Sequence, residues 1–320
     1  MGRRGSSSGG KSSGGHPERG GSGGGPGGGI RRHRRGERVD LPSQPPPPDP
    51  QTQLGFDRDV VRSVEEEVPA GEGRILLGPH AVGEALRAGR RPVQIVYLSL
   101  VEQGERFRET ARLARSRGVT VRQAEPDLLE TLASGRPHQG IVALAGDYPY
   151  LGLGELEQIV AQRGGELLIV ALDQIQDPQN LGAILRSCVA FGVDVVVLPE
   201  RRAAAVTEAV VRASTGATEL CRIARVPNLA EALRRIAAAG VEIVGLDPEG
   251  EASVSDGGLR PPLCLVLGSE GPGLRRLTGE LCHRRLRIRI AVGGVASLNV
   301  SVSAGIVLHA VRHFAASSSA

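Results

Sequence analysis

The chain is nearly devoid of aromatic residues. It has no tryptophan, three tyrosines, four phenylalanines and one methionine in 320 positions. Its core must therefore be filled by Val, Leu, Ile and Ala. Cysteine is also scarce: Cys188, Cys221, Cys264 and Cys282 stand singly, with no CxxC pair. That argues against zinc and against a disulfide framework, and fits isolated core thiols in a reducing compartment. His283 and His309 lack metal-ligand spacing to Cys or carboxylates, so no metal is expected. No apolar run reaches membrane-spanning length, and none follows Arg3–Arg4 as a secretory signal requires. A soluble, cytoplasmic protein is expected. None of the expected strands leads into a GxxxxGKS/T phosphate loop or a GxSxG nucleophile elbow; the matches to those patterns, such as GSSSGGKS at 5–12, fall in the Gly/Ser-rich N-terminal segment. The GxGxxG matches fall in a segment with no preceding strand, so they carry no dinucleotide signal.

The charge that is present is unevenly placed. Residues 1–50 carry nine Lys/Arg against four Asp/Glu, a net +5, and the remainder carries 30 against 31, a net −1. Any nucleic-acid surface on the folded part must then be a local cluster. Residues 1–72 read as a disordered Gly/Arg/Pro-rich tail, with 15 glycines in the first 50 positions and a proline run at Pro45–Pro48. Its Arg31–Arg35 patch either touches RNA phosphates or keeps the tail solvated.

Residues 73–147 read as a small α/β domain. Strands are expected at Ile75–Leu77, Gln94–Leu98, Val119–Val121 and Ile141–Ala145, and helices at His80–Ala88, Glu105–Gly118 and Asp127–Ala133. It is rich in arginine, including Arg87, Arg90, Arg91, Arg108, Arg112 and Arg115, a side chain suited to phosphate. Residues 148–165 form a linker with one short helix. A second α/β pattern fills 166–320. Strands are expected at Leu167–Leu172, Val193–Leu198, Leu220–Ile223, Ile243–Leu246, Leu263–Leu267 and Leu286–Ile290. Helices are expected at Pro178–Phe191, Ala203–Ala213, Leu229–Ala239 and after Ser297. Continuous apolar strands such as DVVVL and LCLVL, alternating with helices, imply a mostly parallel sheet covered on both faces. In the last helix Leu298, Val302, Ile306, Ala310 and Phe314 recur at spacing four, read as the stripe facing the core.

Ligands of such sheets collect beyond the carboxyl ends of the strands. Three strand ends here carry polar residues in Gly- or Pro-containing loops: DQIQDPQNLG with Asn180 and, further along, Arg186; GSEGPGL with Gly268 and Glu270; and VGGVASLN with Ser297 and Asn299. A capped core helix with Ser297 as N-cap is the bland alternative for the third. Together the three favour a ligand site over three structural turns.

The segments DQIQDPQNLGAILRS (173–187), LVLGSEGPGL (265–274) and IRIAVGGVASLNVSVSAGI (288–306) resemble the three motifs of the SpoU/TrmH-type RNA ribose 2′-O-methyltransferases of the SPOUT superfamily. Residues 73–147, with PHQGIVA at 137–143, are similar to the small RNA-binding domain of its RlmB-like branch, bacterial 23S rRNA guanosine-2′-O-methyltransferases. The resemblance implies a deep trefoil knot, a homodimer, and S-adenosylmethionine held in the knot loops at Gly268, Ile288 and Leu298. It implies catalytic-site roles for Asn180, Arg186, Glu270, Ser297 and Asn299. The small residues Ser301, Ala304 and Gly305 would allow close packing of a second subunit. Two departures stand out: Ile288–Arg289–Ile290 replaces the frequent Ile-Pro-Met, and one residue is added near Val292. Arg275, Arg276, Arg284, Arg285, Arg287 and Arg289 are expected to include contacts to RNA phosphates. The competing readings are the same chemistry on tRNA, a non-catalytic RNA-binding or ribosome-assembly protein, and a nucleotide-dependent oxidoreductase. The last lacks its fingerprint glycines.

Overall fold

The computed structural model describes residues 74–102, 104–256, 258–269, 273–291 and 297–316, with side chains described as far as 313. The tail, Glu270 and the segment 292–296 with its added residue lie outside the described residues.

A four-stranded sheet is built from β1 (Ile75–Leu77), β2 (Val93–Ser99), β3 (Thr120–Ala124) and β4 (Ile141–Ala145), in the order β1-β4-β2-β3. Strand β4 runs antiparallel to both neighbours and β3 parallel to β2. Its helices are α1 (Gly78–Ala88), α2 (Glu105–Ser116) and α3 (Pro126–Ala133). Helix α1 opens on a proline in its first turn and stops at Gly89, whose φ of 59° is left-handed.

The second sheet has seven strands: β5 (Leu168–Asp173), β6 (Val195–Pro199), β7 (Ile223–Val226), β8 (Glu242–Leu246), β9 (Ala252–Ser253), β10 (Leu263–Gly268) and β11 (Arg284–Arg287). Their order is β7-β6-β5-β10-β8-β11-β9, and every pairing is parallel. Helices α4 (Leu153–Arg163), α5 (Pro178–Ala190), α6 (Glu208–Ala213), α7 (Ala217–Leu220), α8 (Leu229–Ala238), α9 (Arg276–Glu280) and α10 (Val300–Ala316) surround it. The central strands β5, β6 and β10 are almost wholly apolar because both faces are covered, whereas β11 near the edge is Arg-Arg-Leu-Arg. Leu168, Val170 and Leu172 of β5 enter one core with α5, α6 and α10. Ile169 and Ala171 enter another with α4 and α8. No helix among the described residues is long and apolar enough to cross a membrane.

Three expectations are corrected. The strand expected at Leu220–Ile223 begins only at Ile223; Gly216, at φ 85°, opens the helical turn α7 instead, and Leu220 is exposed. The helix expected from Ala203 begins at Glu208, because two donors before it are used elsewhere: Ala204 N–H bonds to the Ile175 carbonyl at 2.8 Å and Val206 N–H to the Tyr150 hydroxyl at 2.6 Å. In α10 the stripe at spacing four is not the core face. Val300, Ala304, Val307, Leu308 and Val311 are buried, whereas Val302 is 50% and Ile306 38% exposed. Each step of four residues advances about 40° round a helix, so a strict row of fours drifts off the core that mixed steps of three and four follow.

The smaller sheet is joined to the larger by a buried ion pair. Arg91, just after α1, meets Glu219 of α7 at 2.7 Å, and their side chains are 0% and 1% exposed. A second bond, Nε to the other carboxylate oxygen, is 3.0 Å long. Burial pushes the Glu219 carboxyl up and the Arg91 guanidinium pulls it back. The Arg91 guanidinium also lies 5.8 Å from the Tyr148 ring centre, and the Tyr148 hydroxyl donates to the Thr218 carbonyl at 2.8 Å. Removing one member of a buried pair strands the other charge in a poorly solvated place. Glu219→Ala is expected to lower the unfolding free energy by roughly 3–5 kcal/mol in a urea titration, and a loss below about 1 kcal/mol would mean that water reaches Arg91.

Candidate active site

Strand order reverses between β5, which leads to β6, and its other neighbour β10. That opens a crevice beyond the carboxyl ends. A cavity of about 440 Å³ lies at the ends of β8, β10 and β11, within the roughly 300–1,000 Å³ of small-molecule sites. Leu246, Leu267, Ile288 and Leu298 provide apolar wall, and Asp247 and Ser269 provide polar edges. Gly268, Ile288, Leu298 and Ser297 thus share one cavity; Asn180, Arg186 and Asn299 are not in its lining.

The floor of the cavity is set by Gly268. A Cβ there would fall on the backbone of Gly273 and Leu274, closer than real Cβ atoms approach. The turn folds back so tightly because Ser269 and Gly273 exchange backbone hydrogen bonds of 3.1 and 3.0 Å. Gly268 is the register partner of Asp173 on β5. Asp173 is fully buried, and its carboxylate accepts from Arg275 N–H at 3.0 Å and Arg275 Nε at 2.6 Å. One acid thereby ties the first loop to the second. Sequence reasoning passed over this pair, although a lone acid closing the apolar run LLIVAL was a visible signal.

Asn180 and Asn299 meet directly. Asp177 caps α5 by accepting from Asn180 N–H at 2.9 Å, leaving the Asn180 side chain at the helix mouth. Asn299 Nδ2 donates to Asn180 Oδ1 at 2.9 Å. Asn299 Oδ1 accepts from Ser301 N–H at 2.8 Å and Ser301 Oγ at 2.5 Å, and the Asn299 carbonyl accepts from Ser303 N–H at 3.0 Å. Asn299, not Ser297, is therefore the N-cap of α10. Arg186 is exposed on α5, about 9 Å along the axis from Asn180 and about 120° round it by helix geometry. The arginines around the second and third loops are already engaged: Arg275 with Asp173, Arg276 with Glu280, Arg284 with Glu242, Arg285 with Asp247, and Arg289 with Asp256. Arg287 donates to the carbonyls of Gly250 and Glu251. Among the described residues no cluster of three His, Cys, Asp or Glu could hold a metal.

A parallel α/β sheet with a glycine-floored cavity beyond the carboxyl ends of its strands is the arrangement of proteins that hold a small ligand there. The family follows from comparison with known proteins. Residues 167–309 match the SpoU rRNA Methylase family, and residues 75–151 match the domain described as RNA 2′-O ribose methyltransferase substrate binding. A tRNA/rRNA methyltransferase of Mycolicibacterium gilvum, itself uncharacterized, is 41% identical over 73% of this chain and 74% of its own length. The SpoU methyltransferase AviRb of Streptomyces viridochromogenes, solved with AdoMet, superposes with a TM-score of 0.64 at 28% identity, over 83% of this chain and 97% of its own. An AdoMet-bound rRNA methyltransferase of Sinorhizobium meliloti shares the fold, with a TM-score of 0.64 at 23% identity over 82% and 95% of the two chains. The chain belongs to the SpoU/TrmH family of RNA methyltransferases.

Gly268→Ala must displace the backbone that shapes the cavity. It is expected to weaken S-adenosylmethionine binding by about tenfold or more in calorimetry, with an unchanged circular dichroism spectrum. Wild-type affinity in this variant would remove Gly268 from the binding wall.

Proposed function

We propose that this protein methylates a ribose 2′-OH in RNA, a guanosine of 23S rRNA in the first instance, with S-adenosylmethionine as methyl donor. The observation that supports the reading is that Gly268, Ile288 and Leu298 of the second and third strand-end loops share one cavity, while the first loop is tied to the third by the Asn180–Asn299 hydrogen bond. The cavity fits the cofactor by chemistry: backbone can approach closely at Gly268, apolar side chains flank it, and a carboxylate and hydroxyls edge it. When bound, the cofactor supplies an electrophilic methyl group on a sulfonium.

The protein's part is alignment and help for a weakly acidic hydroxyl. Asn180 and Asn299 hold each other in one orientation and present fixed amide groups to the ribose. Ser297 and Glu270 share their loops and are assigned to the same centre. The role of Arg186 in this reading is to hold the hydroxyl or an adjacent phosphate through its fork and to stabilise developing negative charge. The catalytic unit is placed at 166–320, threaded as a trefoil knot, and the RNA-binding unit at 73–147, with a linker at 148–165.

The reading includes a homodimer. The apolar side chains Val302 and Ile306 stand on the outer face of α10 beside the small residues Ser301 and Gly305, a surface suited to a second copy. Ile306→Glu is expected to shift the protein to a monomer in sedimentation equilibrium; a dimer unchanged by it would place the interface elsewhere.

Mapping 2′-O-methyl positions in rRNA and tRNA from a strain lacking the gene tests the substrate. One 23S guanosine losing its methyl group is the expected result. Loss at a tRNA position would move the assignment to tRNA, and no loss would favour a non-catalytic RNA-binding role. Arg186→Lys is expected to lower the turnover of complementing enzyme by about a hundredfold. Near-full activity would exclude any role that needs the guanidinium fork.

A further inference from the structure

The arginines of this chain are not all held: Arg106, Arg112, Arg115, Arg222 and Arg260 are exposed with no side-chain partner among the described residues. The arginines near the second and third loops are paired, as described above. Arg201 and Arg202, in the loop after β6, are both exposed and have no ion pair or hydrogen bond among the described residues. The loop that carries them is firmly held. Glu200 N–H bonds to the Val226 carbonyl at 2.8 Å, and the Glu200 carbonyl accepts from Arg225 at 3.3 Å. Arg225 in turn lies 5.3 Å from the Tyr150 ring centre, and Tyr150 accepts from Val206 N–H. Ala204 N–H reaches across to the carbonyl of Ile175, in the first catalytic loop.

That last bond has a left-handed non-glycine residue near each end. Gln174 has φ 65° and Arg202 has φ 60°. Such conformations are costly for side-chain-bearing residues and persist where surrounding structure enforces them, often at functional sites. Here the enforced geometry aims two cations outward at the carboxyl edge of the sheet, one hydrogen bond from the loop that carries Asn180. Glu200 is the one acid of this loop, and its carboxylate makes no bond to either guanidinium among the described residues. Two exposed guanidinium forks on a backbone held in place suit phosphodiester oxygens, which they can grip two bonds at a time.

We propose that Arg201 and Arg202 form a phosphate grip for the RNA strand flanking the target nucleotide, fixed to the first catalytic loop through Ala204 and Ile175. This rests on the reading that the substrate is RNA. The grip positions substrate and takes no part in binding the methyl donor.

The test is salt-dependent binding of the full-length protein to a labelled RNA hairpin of about 30 nucleotides, measured for wild type, Arg201→Gln/Arg202→Gln, Arg201→Lys/Arg202→Lys and the paired-arginine control Arg276→Gln/Arg284→Gln. Each single-strand phosphate contact contributes about 0.7 to the slope of log affinity against log salt. The glutamine double variant is expected to lose roughly 1–1.5 of that slope and bind severalfold more weakly at low salt. The lysine variant should keep most of the slope, the control should match wild type, and S-adenosylmethionine affinity should be unchanged in all. An unchanged slope in the glutamine variant overturns the grip, as does a larger loss in the control. Reduced S-adenosylmethionine affinity in the glutamine variant would show general damage to the site and also overturn it. Wild-type protein that binds no RNA would contradict the RNA reading itself, a distinguishable failure.

Discussion

The architecture of the site depends on one buried carboxylate. Asp173 ends β5 with no exposure to solvent and takes two hydrogen bonds from Arg275. A buried charge must be paired, and this pairing fixes the distance between the loop after β5 and the loop after β10. Gly268 is opposite Asp173 in the sheet register, so the same contact sets where the second loop can turn back over the strand. The tight return at Ser269 and Gly273 then needs a residue without a side chain at 268. The cavity is what remains between that return and the chain that leaves β11.

The third loop is bound to this frame by a different interaction. Asn299 caps α10 with its carbonyl and Oδ1, which leaves its Nδ2 to donate to Asn180. A helix cap and a cross-loop contact are thus the same side chain. Capping locks its orientation, and preorganised amides are what alignment of a weak nucleophile calls for. The buried pair Arg91–Glu219 does comparable work at a larger scale. It holds the small sheet, whose sequence matches a substrate-binding domain, against the helices that pack under the first loop.

Much of this was legible in the residues. Uninterrupted apolar strands announced a parallel sheet, and of the three Gly- or Pro-marked strand ends the two with Gly268 and Ser297 line the cavity. Other parts were not legible, for physical reasons. Leu220 and Cys221 belong to a short apolar run that suits a strand or a helical turn equally; Gly216 decides it through a left-handed φ that sequence does not display. The outward face of α10 was mistaken for the core because Val302 and Ile306 are as apolar as the residues that are buried. The role of Asp173 required knowing that Arg275, 102 positions away, returns beside it.

The central claim is that the loops after β10 and β11, tied to the first loop through Asp173–Arg275 and Asn180–Asn299, make the pocket for the methyl donor. A crystal structure of the protein grown with S-adenosylhomocysteine tests it most directly. The account predicts one molecule per chain in the crevice, touching Gly268, Ile288 and Leu298, with the Asp173–Arg275 contact intact. A ligand bound elsewhere on the sheet, or a crevice left empty at saturating ligand, would contradict it.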